Sequence, residues 1–411
     1  MNEDNKKQLF QEPIRLMRSK LVPKLPGSVR KQVESEVERL EDIFLDARSP
    51  RFAIVGRRGS GKSTFINSIF QAPVAEIGSV KAQTGEGQWL AYKNEDKDAD
   101  MEILDTRGLG EGSAPAEAST EIDALEEVKS SMKDKCPDAF LFLIKAKEVD
   151  SRINEDIAQL MELKNFVQKH HNYLPPVIGI VTQVDELDPV YNAEPPYKKK
   201  KLKNIDEAVE HLSTKLTNKM TDVAGVLPVC SYMVFEDEEI VYDRRWNTEE
   251  VVHFLLEHLP GSTWMQWAKI TQAKEIQRKI ALTVGKSASA VCGGLGAQPI
   301  PIADLPVITG IQISMITSIA YISGRELNRK SIAEFIGAMG VNIGAAYAFR
   351  QVARSLSKVA FPGAGHLISG TVASIATWSL CKAAISYFID KESSQEARAI
   401  FEKETHRLKE E

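Results

Sequence analysis

The chain has 411 residues, of which 43% are hydrophobic and 27% charged, and a net charge of −5. This composition excludes a disordered chain and leaves room for two or three domains. The slight acidity offers no overall basic field, so nucleic acid is not expected as a partner. Cys136, Cys230, Cys292 and Cys381 are scattered without metal-ligand spacing and read as free thiols of a reducing cytosol. The polar start MNEDNKKQ does not fit a secretory signal.

Residues 1–49 read as an N-terminal helical segment. Val29, Val33, Val37, Leu40 and Phe44 recur at helical spacing, and Pro50 stops the run. One face of this helix should pack on a neighbouring domain.

The stretch Arg51 to Thr64, RFAIVGRRGSGKST, organises the chain. Phe52–Val55 is a short apolar run expected to form a buried strand. Gly56 to Ser63 fits G-x-x-x-x-G-K-[ST], and Phe65, Ile66, Ile69 and Phe70 come next at helical spacing. Gly56, Gly59 and Gly61 allow backbone conformations closed to other residues, so the amides from Gly56 through Ser60 to Thr64 can line a hollow for anionic oxygens. Lys62 is expected to reach the β- and γ-phosphates, and the Ser63 hydroxyl to ligate Mg²⁺.

Strand-like and helix-like runs then alternate to about residue 260. Strands are expected at 88–92, 101–104, 139–144, 177–181 and 226–229, and helices at 122–128, 153–167, 205–220 and 248–258. The fully apolar AFLFLI of 139–144 suits a strand buried on both faces. The pattern predicts an α/β fold with a mostly parallel sheet.

Further segments fall where a nucleotide site needs them. MEILDTRG ends an apolar strand in Asp105-x-x-Gly108; Asp105 would hold Mg²⁺ through water and the Gly108 amide would sense the γ-phosphate. In the polar loop Lys81–Glu86, Thr84 is the candidate for a second hydroxyl on Mg²⁺, with Ser79 as its competitor. Lys62, Thr84 and Gly108 form the expected catalytic set. After the strand VIGIV comes Thr182-Gln183-Val184-Asp185. A carboxylate there can accept the ring N–H and the exocyclic amine of guanine, a donor pair that adenine lacks. Ser231, in Pro228-Val229-Cys230-Ser231, would approach the base through its amide.

GRRGSGKSTFINSIF, DTRG and TQVD, in this order, resemble translation-factor-class GTPases, particularly the Era-like and immunity-related groups. The resemblance covers residues 50–260 and implies a bacterial switch that binds GTP or GDP with Mg²⁺ and hydrolyses GTP. Three positions depart from the pattern. Gln183 stands where the family usually has lysine, whose longer stem packs over guanine. Gly59 replaces the asparagine of potassium-activated members. Leu109 comes directly after Asp105-x-x-Gly108, where many small GTPases place a water-orienting glutamine. Slow hydrolysis is therefore expected, accelerated by a partner or by a homodimer through the GTPase domain. Arg57, Arg58 and Arg107 lie in sequence beside the phosphate motifs and could offer charge to the transition state. A nucleotide-dependent scaffold and an ATPase are the rival readings, the latter because Gln183 weakens the base motif.

After Trp264 the chain becomes rich in Gly, Ala, Ser and Ile. PIADLPVITGIQISMITSIAYISGREL and FPGAGHLISGTVASIATWSL resemble a helical domain of unknown function found behind bacterial Era-like GTPase domains. Leu305–Gly324 and Val359–Cys381 carry no charge and reach spanning length, and the flanks are basic. They also hold Gln312, His366 and many small polar residues, so a packed bundle and a module on or in an anionic membrane are both open. The domains expected are 1–49, 50–262 and 263–411, in a cytoplasmic protein that is otherwise peripheral or integral at the inner membrane.

Overall fold

A computed structural model describes residues 14–15, 18–19, 22–74, 89–94, 99–105, 121–150, 153–237, 239–296, 305–324, 329–339 and 370–410. The chain divides into two compact units, Ser49–Pro260 and a helical unit made of Met1–Arg48 with Gly261–Glu411.

The first long helix described in the helical unit is α1 (Gly27–Phe44). Its predicted stripe is inward-facing: Val33, Val37, Leu40 and Phe44 are buried, with Ile43 beside them.

In the other unit, β1 (Arg51–Val55) leads through the glycine loop into α2 (Lys62–Phe70). Strands β2 (Trp89–Asn94) and β3 (Ala99–Asp105) pair antiparallel. Then come α3 (Glu121–Asp134), β4 (Ala139–Lys145), α4 (Ile153–His171), β5 (Val177–Thr182), α5 (Lys199–Thr217) and β6 (Val223–Pro228). A hairpin, β7 (Met233–Glu236) and β8 (Glu239–Asp243), precedes α6 (Thr248–His258). The six-stranded sheet runs β2-β3-β1-β4-β5-β6, and every pairing except β2–β3 is parallel. The fold is α/β with a mostly parallel sheet.

The core derives from the apolar strands. Ala139 to Ile144 are all buried, as a central parallel strand covered on both faces requires. Leu160, Leu163 and Val167 of α4 and Leu212 and Leu216 of α5 are buried in the same core. Parallel strands direct their C-terminal ends to one edge, so β1, β3, β4 and β5 all open on the side of the glycine loop. The β7–β8 hairpin, which is not among the expected strands, is antiparallel and separate from the main sheet.

The helical unit continues with α7 (Trp264–Thr271), α8 (Lys274–Gly296), α9 (Leu305–Ile322), α10 (Arg329–Ala338), α11 (Gly370–Ala384) and α12 (Ser394–Glu410). Gly294 of α8 meets α1 so closely that a methyl there would strike Val33, and Gly285 meets Cys381 of α11 in the same way. Ser287 donates to Glu36 at 2.5 Å, joining α8 to α1 by a polar contact as well. Buried amides are satisfied within the bundle: Gln312 donates to Thr377 Oγ1 at 3.0 Å, and Gln277 to the Ile322 carbonyl at 2.8 Å. Among the described residues, no helix is long and apolar enough to cross a membrane. The expectation of an integral protein finds no support in α9. The apolar segment 359–381 lies partly outside the described residues.

Candidate functional site

The site grows from the end of β1. Two of the loop glycines are there for conformation: Gly59 has φ +77° and Gly61 φ +86°, in the left-handed region where a side chain is strained. Gly56 is there for space. A Cβ on it would lie 2.6 Å from the Leu143 carbonyl oxygen and 2.8 Å from Ser60 Oγ. Gly61 is the last residue before α2, so the free amides at the helix start face the loop.

Lys62 folds back over this loop. Its Nζ donates to the Gly56 carbonyl at 2.5 Å and to the Arg57 carbonyl at 3.2 Å. Ser63 and Thr64 are half-buried in the first turn of α2, and Ser60 is buried with its hydroxyl unpartnered. Arg57 turns away from the loop: its guanidinium grips Asp156 of α4, with Nε 2.9 and 3.2 Å from the two carboxylate oxygens. Burial raises the Asp156 carboxyl above its ordinary range, more than Arg57 lowers it. Arg58 is exposed.

The second motif lies against the first. Thr182, at the end of β5, donates from Oγ1 to the Ser60 carbonyl at 2.7 Å. Gln183, itself at φ +56°, donates from Nε2 to the Gly59 carbonyl at 2.8 Å. Asp185 is buried, and its Oδ2 accepts from Arg244 Nη2 at 2.6 Å. Lys201 donates to the Asp185 main-chain carbonyl at 2.5 Å and is wholly buried under Tyr197. Of the four consecutive lysines 198–201, the first three are exposed and this one is turned inward. Burial lowers the Lys201 ammonium from its ordinary range, and the nearby Asp185 carboxylate opposes that shift.

Ser231 is buried nearby with its hydroxyl unpartnered. Its loop is braced from one side: Cys230 and Trp246 exchange main-chain hydrogen bonds at 3.1 and 2.9 Å, and Asn247 donates to the Pro228 carbonyl at 2.9 Å. Burial pushes the Cys230 thiol up to about 11, so it stays protonated and unreactive at neutral pH.

Asp105 closes β3, and its register partner is Ile54, next to the last residue of β1. The main chain of Asp105 is therefore level with the mouth of the loop. Thr84 and Gly108, with Ser79, Arg107 and Leu109, lie outside the described residues. The described residues contain no group of three or more His, Cys, Asp or Glu placed to hold a metal. A cation that keeps most of its waters and takes its other oxygens from phosphate needs no such cluster.

Sequence reasoning missed Arg244 and Tyr232. Met233–Phe235 and Ile240–Tyr242 flank a short acidic stretch, a pattern that could have announced the hairpin.

Residues 51–182 match the family model described as 50S ribosome-binding GTPase. The GTPase Der of Rhodopirellula baltica is 25% identical over 151 residues, 37% of this chain and 30% of that protein. Der of Staphylococcus aureus is 28% identical over 144 residues, 34% of this chain and 28% of that protein. The chain thus spans under a third of the length of these curated relatives. Among solved structures, Aquifex aeolicus Era bound to GDP·AlF4⁻ is 24% identical, covering 59% of this chain and 67% of that one, with a TM-score of 0.33. Over residues 51–182 the chain carries a P-loop GTPase domain.

Proposed function

We propose that this protein binds GTP and hydrolyses it to GDP and phosphate, as a switch whose output is the helical unit. The observation that carries the reading is the direct contact between the two motifs. Thr182 and Gln183 both hydrogen-bond to the main chain of the glycine loop. In this reading a triphosphate held at Gly56–Thr64 extends its purine toward Asp185.

In this reading Gly56, Gly59, Ser60, Gly61, Ser63 and Thr64 cradle the phosphates, and Lys62 leaves its two carbonyl partners for the β- and γ-oxygens. Mg²⁺ would be held by Ser63, by Asp105 through water and, with the triphosphate bound, by Thr84. It supplies charge stabilisation at the transferring phosphoryl group. The Gly108 amide reports the γ-phosphate. Asp185 accepts from guanine, with Thr182, Gln183 and the Ser231 amide around the base.

The chain enters the GTPase unit at Arg48–Ser49 and leaves at Pro260–Gly261. On the helical side these two passages are tied together, Arg48 donating its amide to the Ser262 carbonyl at 2.9 Å. This double connection is the proposed route from nucleotide to helices. Hydrolysis is slow in the isolated protein and rises with self-association or a partner. Vesicle flotation with and without GTP asks whether an anionic bilayer is the target of the helical unit, bound at its surface.

The decisive experiment is to identify the nucleotide carried by purified protein and to measure turnover of GTP and ATP with Mg²⁺. Bound guanine nucleotide, with GTP turnover lost in Lys62→Ala, is the expected result. Tighter binding of ATP would replace the reading with an ATPase. Tight GTP binding with no turnover at any protein concentration would make the chain a nucleotide-dependent scaffold.

A further inference from the structure

The hairpin β7–β8 ends in two arginines that point to different structures. Arg245 grips Asp243 and donates from Nη1 to the Ser68 carbonyl near the end of α2, at 3.1 Å. Arg244 goes to the other motif. Its Nη2 donates to Asp185 Oδ2 at 2.6 Å, and its guanidinium carbon lies 4.6 Å from the centroid of the Tyr232 ring. The Arg244 amide also donates to the Tyr232 carbonyl at 3.0 Å.

Three features make this a built arrangement. The arginine is immobilised by stacking, by a main-chain bond and by a charge-assisted hydrogen bond, and its side chain is only 20% exposed. Its Nε is buried without a partner, as is the hydroxyl of Ser231, the residue before Tyr232 in sequence, so two polar groups of this arrangement stand unsatisfied. The next residues, Trp246 and Asn247, are stitched to the loop that carries Ser231. The carboxylate, the arginine and the serine are thus fixed relative to one another.

The chemistry of guanine makes that fixation matter. An acid reads the ring N–H and the exocyclic amine only when both carboxylate oxygens lie in the plane of the base. An aspartate is free to rotate about its last torsion unless something holds one oxygen. Arg244 holds Oδ2. Each carboxylate oxygen has two acceptor positions, so Oδ2 can keep the arginine and still accept from the base. At position 183 the family's lysine is replaced by a glutamine committed to Gly59, which leaves the base end without its usual cation. Arg244 brings a cation there from a different element.

Resting on the GTP reading above, we propose that Arg244 is a specificity-determining positioning residue: stacked on Tyr232, it locks the Asp185 carboxylate in the orientation that selects guanine. It acts on the base and not on the phosphates.

The test measures GDP and ADP affinity of the full chain for wild type, Arg244→Ala, Arg244→Lys and Asp185→Ala, with thermal midpoints in the absence of nucleotide as a folding control. Arg244→Ala should weaken GDP binding about tenfold or more while leaving weak ADP binding within about twofold, so that the preference collapses. Arg244→Lys should recover part of the GDP affinity through its charge. If Arg244→Ala does not fold, Arg244→Gln, which keeps a planar donor on the Tyr232 ring, carries the same comparison with a smaller loss. Unchanged GDP preference in the folded arginine variants, with Asp185→Ala impaired, overturns the proposal and leaves the GTP reading intact. Tighter GDP binding in Arg244→Ala overturns it too, because Arg244 would then be a competitor for the carboxylate. Unchanged GDP preference in Asp185→Ala removes the base-pocket reading itself, and this proposal with it.

Discussion

Gln183 Nε2 lies 2.8 Å from the Gly59 carbonyl oxygen, across 124 residues of sequence. A residue that departs from the family pattern is thus the one that fastens the Thr182–Asp185 segment to the glycine loop. Its side chain lacks a stem long enough to cover guanine. What it supplies instead is a neutral hydrogen bond to a loop carbonyl, and its own left-handed backbone aims it there. Gln183→Ala should weaken GDP binding about threefold to tenfold, the effect of one such hydrogen bond. Gln183→Lys should bind at least as tightly as wild type, because the ammonium can reach the same carbonyl and adds a stem over the base. A fluorescent GDP analogue in equilibrium titration reads both, and equal affinity in all three proteins would refute the tether.

The glycine loop makes a graded prediction. Gly56 has no room for a methyl group, since its nearest neighbours would be the Leu143 carbonyl and Ser60 Oγ, at 2.6 and 2.8 Å. Gly59 has room, its nearest neighbour being the end of the Lys145 side chain at 3.3 Å, but it has a positive φ. Gly56→Ala should therefore displace β4 from the loop and abolish nucleotide binding. Gly59→Ala should cost about 1 kcal/mol of stability and keep measurable binding. Thermal melts and GDP titration of the two variants separate steric from conformational strain.

These contrasts show what a sequence makes legible. The strand, loop and helix from Arg51 to Phe70 can be read because glycine placement and apolar spacing are local signals. The parallel sheet can be read because Ala139–Ile144 is apolar without a break. Asp185 can be placed by its position after a buried strand. Its partner Arg244 cannot. It lies 59 residues away, on a hairpin whose second strand is exposed throughout and so shows no buried alternation. Lys201 is the fourth of four consecutive lysines, yet α5 turns it inward under Tyr197 while Lys199 and Lys200 stay exposed. Helical phase decides that, and a charge run hides it.

Arg57 is a candidate, by sequence, to meet the transition state. In the fold it is engaged by Asp156, with Nη2 3.1 Å from Oδ1 in addition to the two Nε contacts. An arginine committed to a buried carboxylate braces the loop against α4. Arg57→Ala should leave single-turnover GTP hydrolysis within about threefold of wild type. It should lower stability by roughly 1–3 kcal/mol, since Asp156 is left buried without its donor. A large loss of turnover at unchanged stability would return Arg57 to the catalytic centre.

Acid sensitivity should trace in part to Glu102 of β3. Burial raises its carboxyl, but hydrogen bonds from Lys135 at 2.5 Å and Arg51 at 2.7 Å, with the charges behind them, lower it by more. The carboxyl therefore titrates below its ordinary range in the folded state. A depressed carboxyl adds stability above its unfolded pKa, because there the fold alone gains from the ionised form. That contribution fades as the pH falls through the depressed value, because the folded state must then take up the proton as well. Glu102→Gln should accordingly be less stable than wild type by about 1 kcal/mol at pH 7. The difference should shrink below about pH 4 and vanish once both states are protonated. Urea unfolding of the two proteins from pH 7 to pH 3 measures it directly. A gap that stays constant over that range would mean that Glu102 contributes through packing and not through its charge.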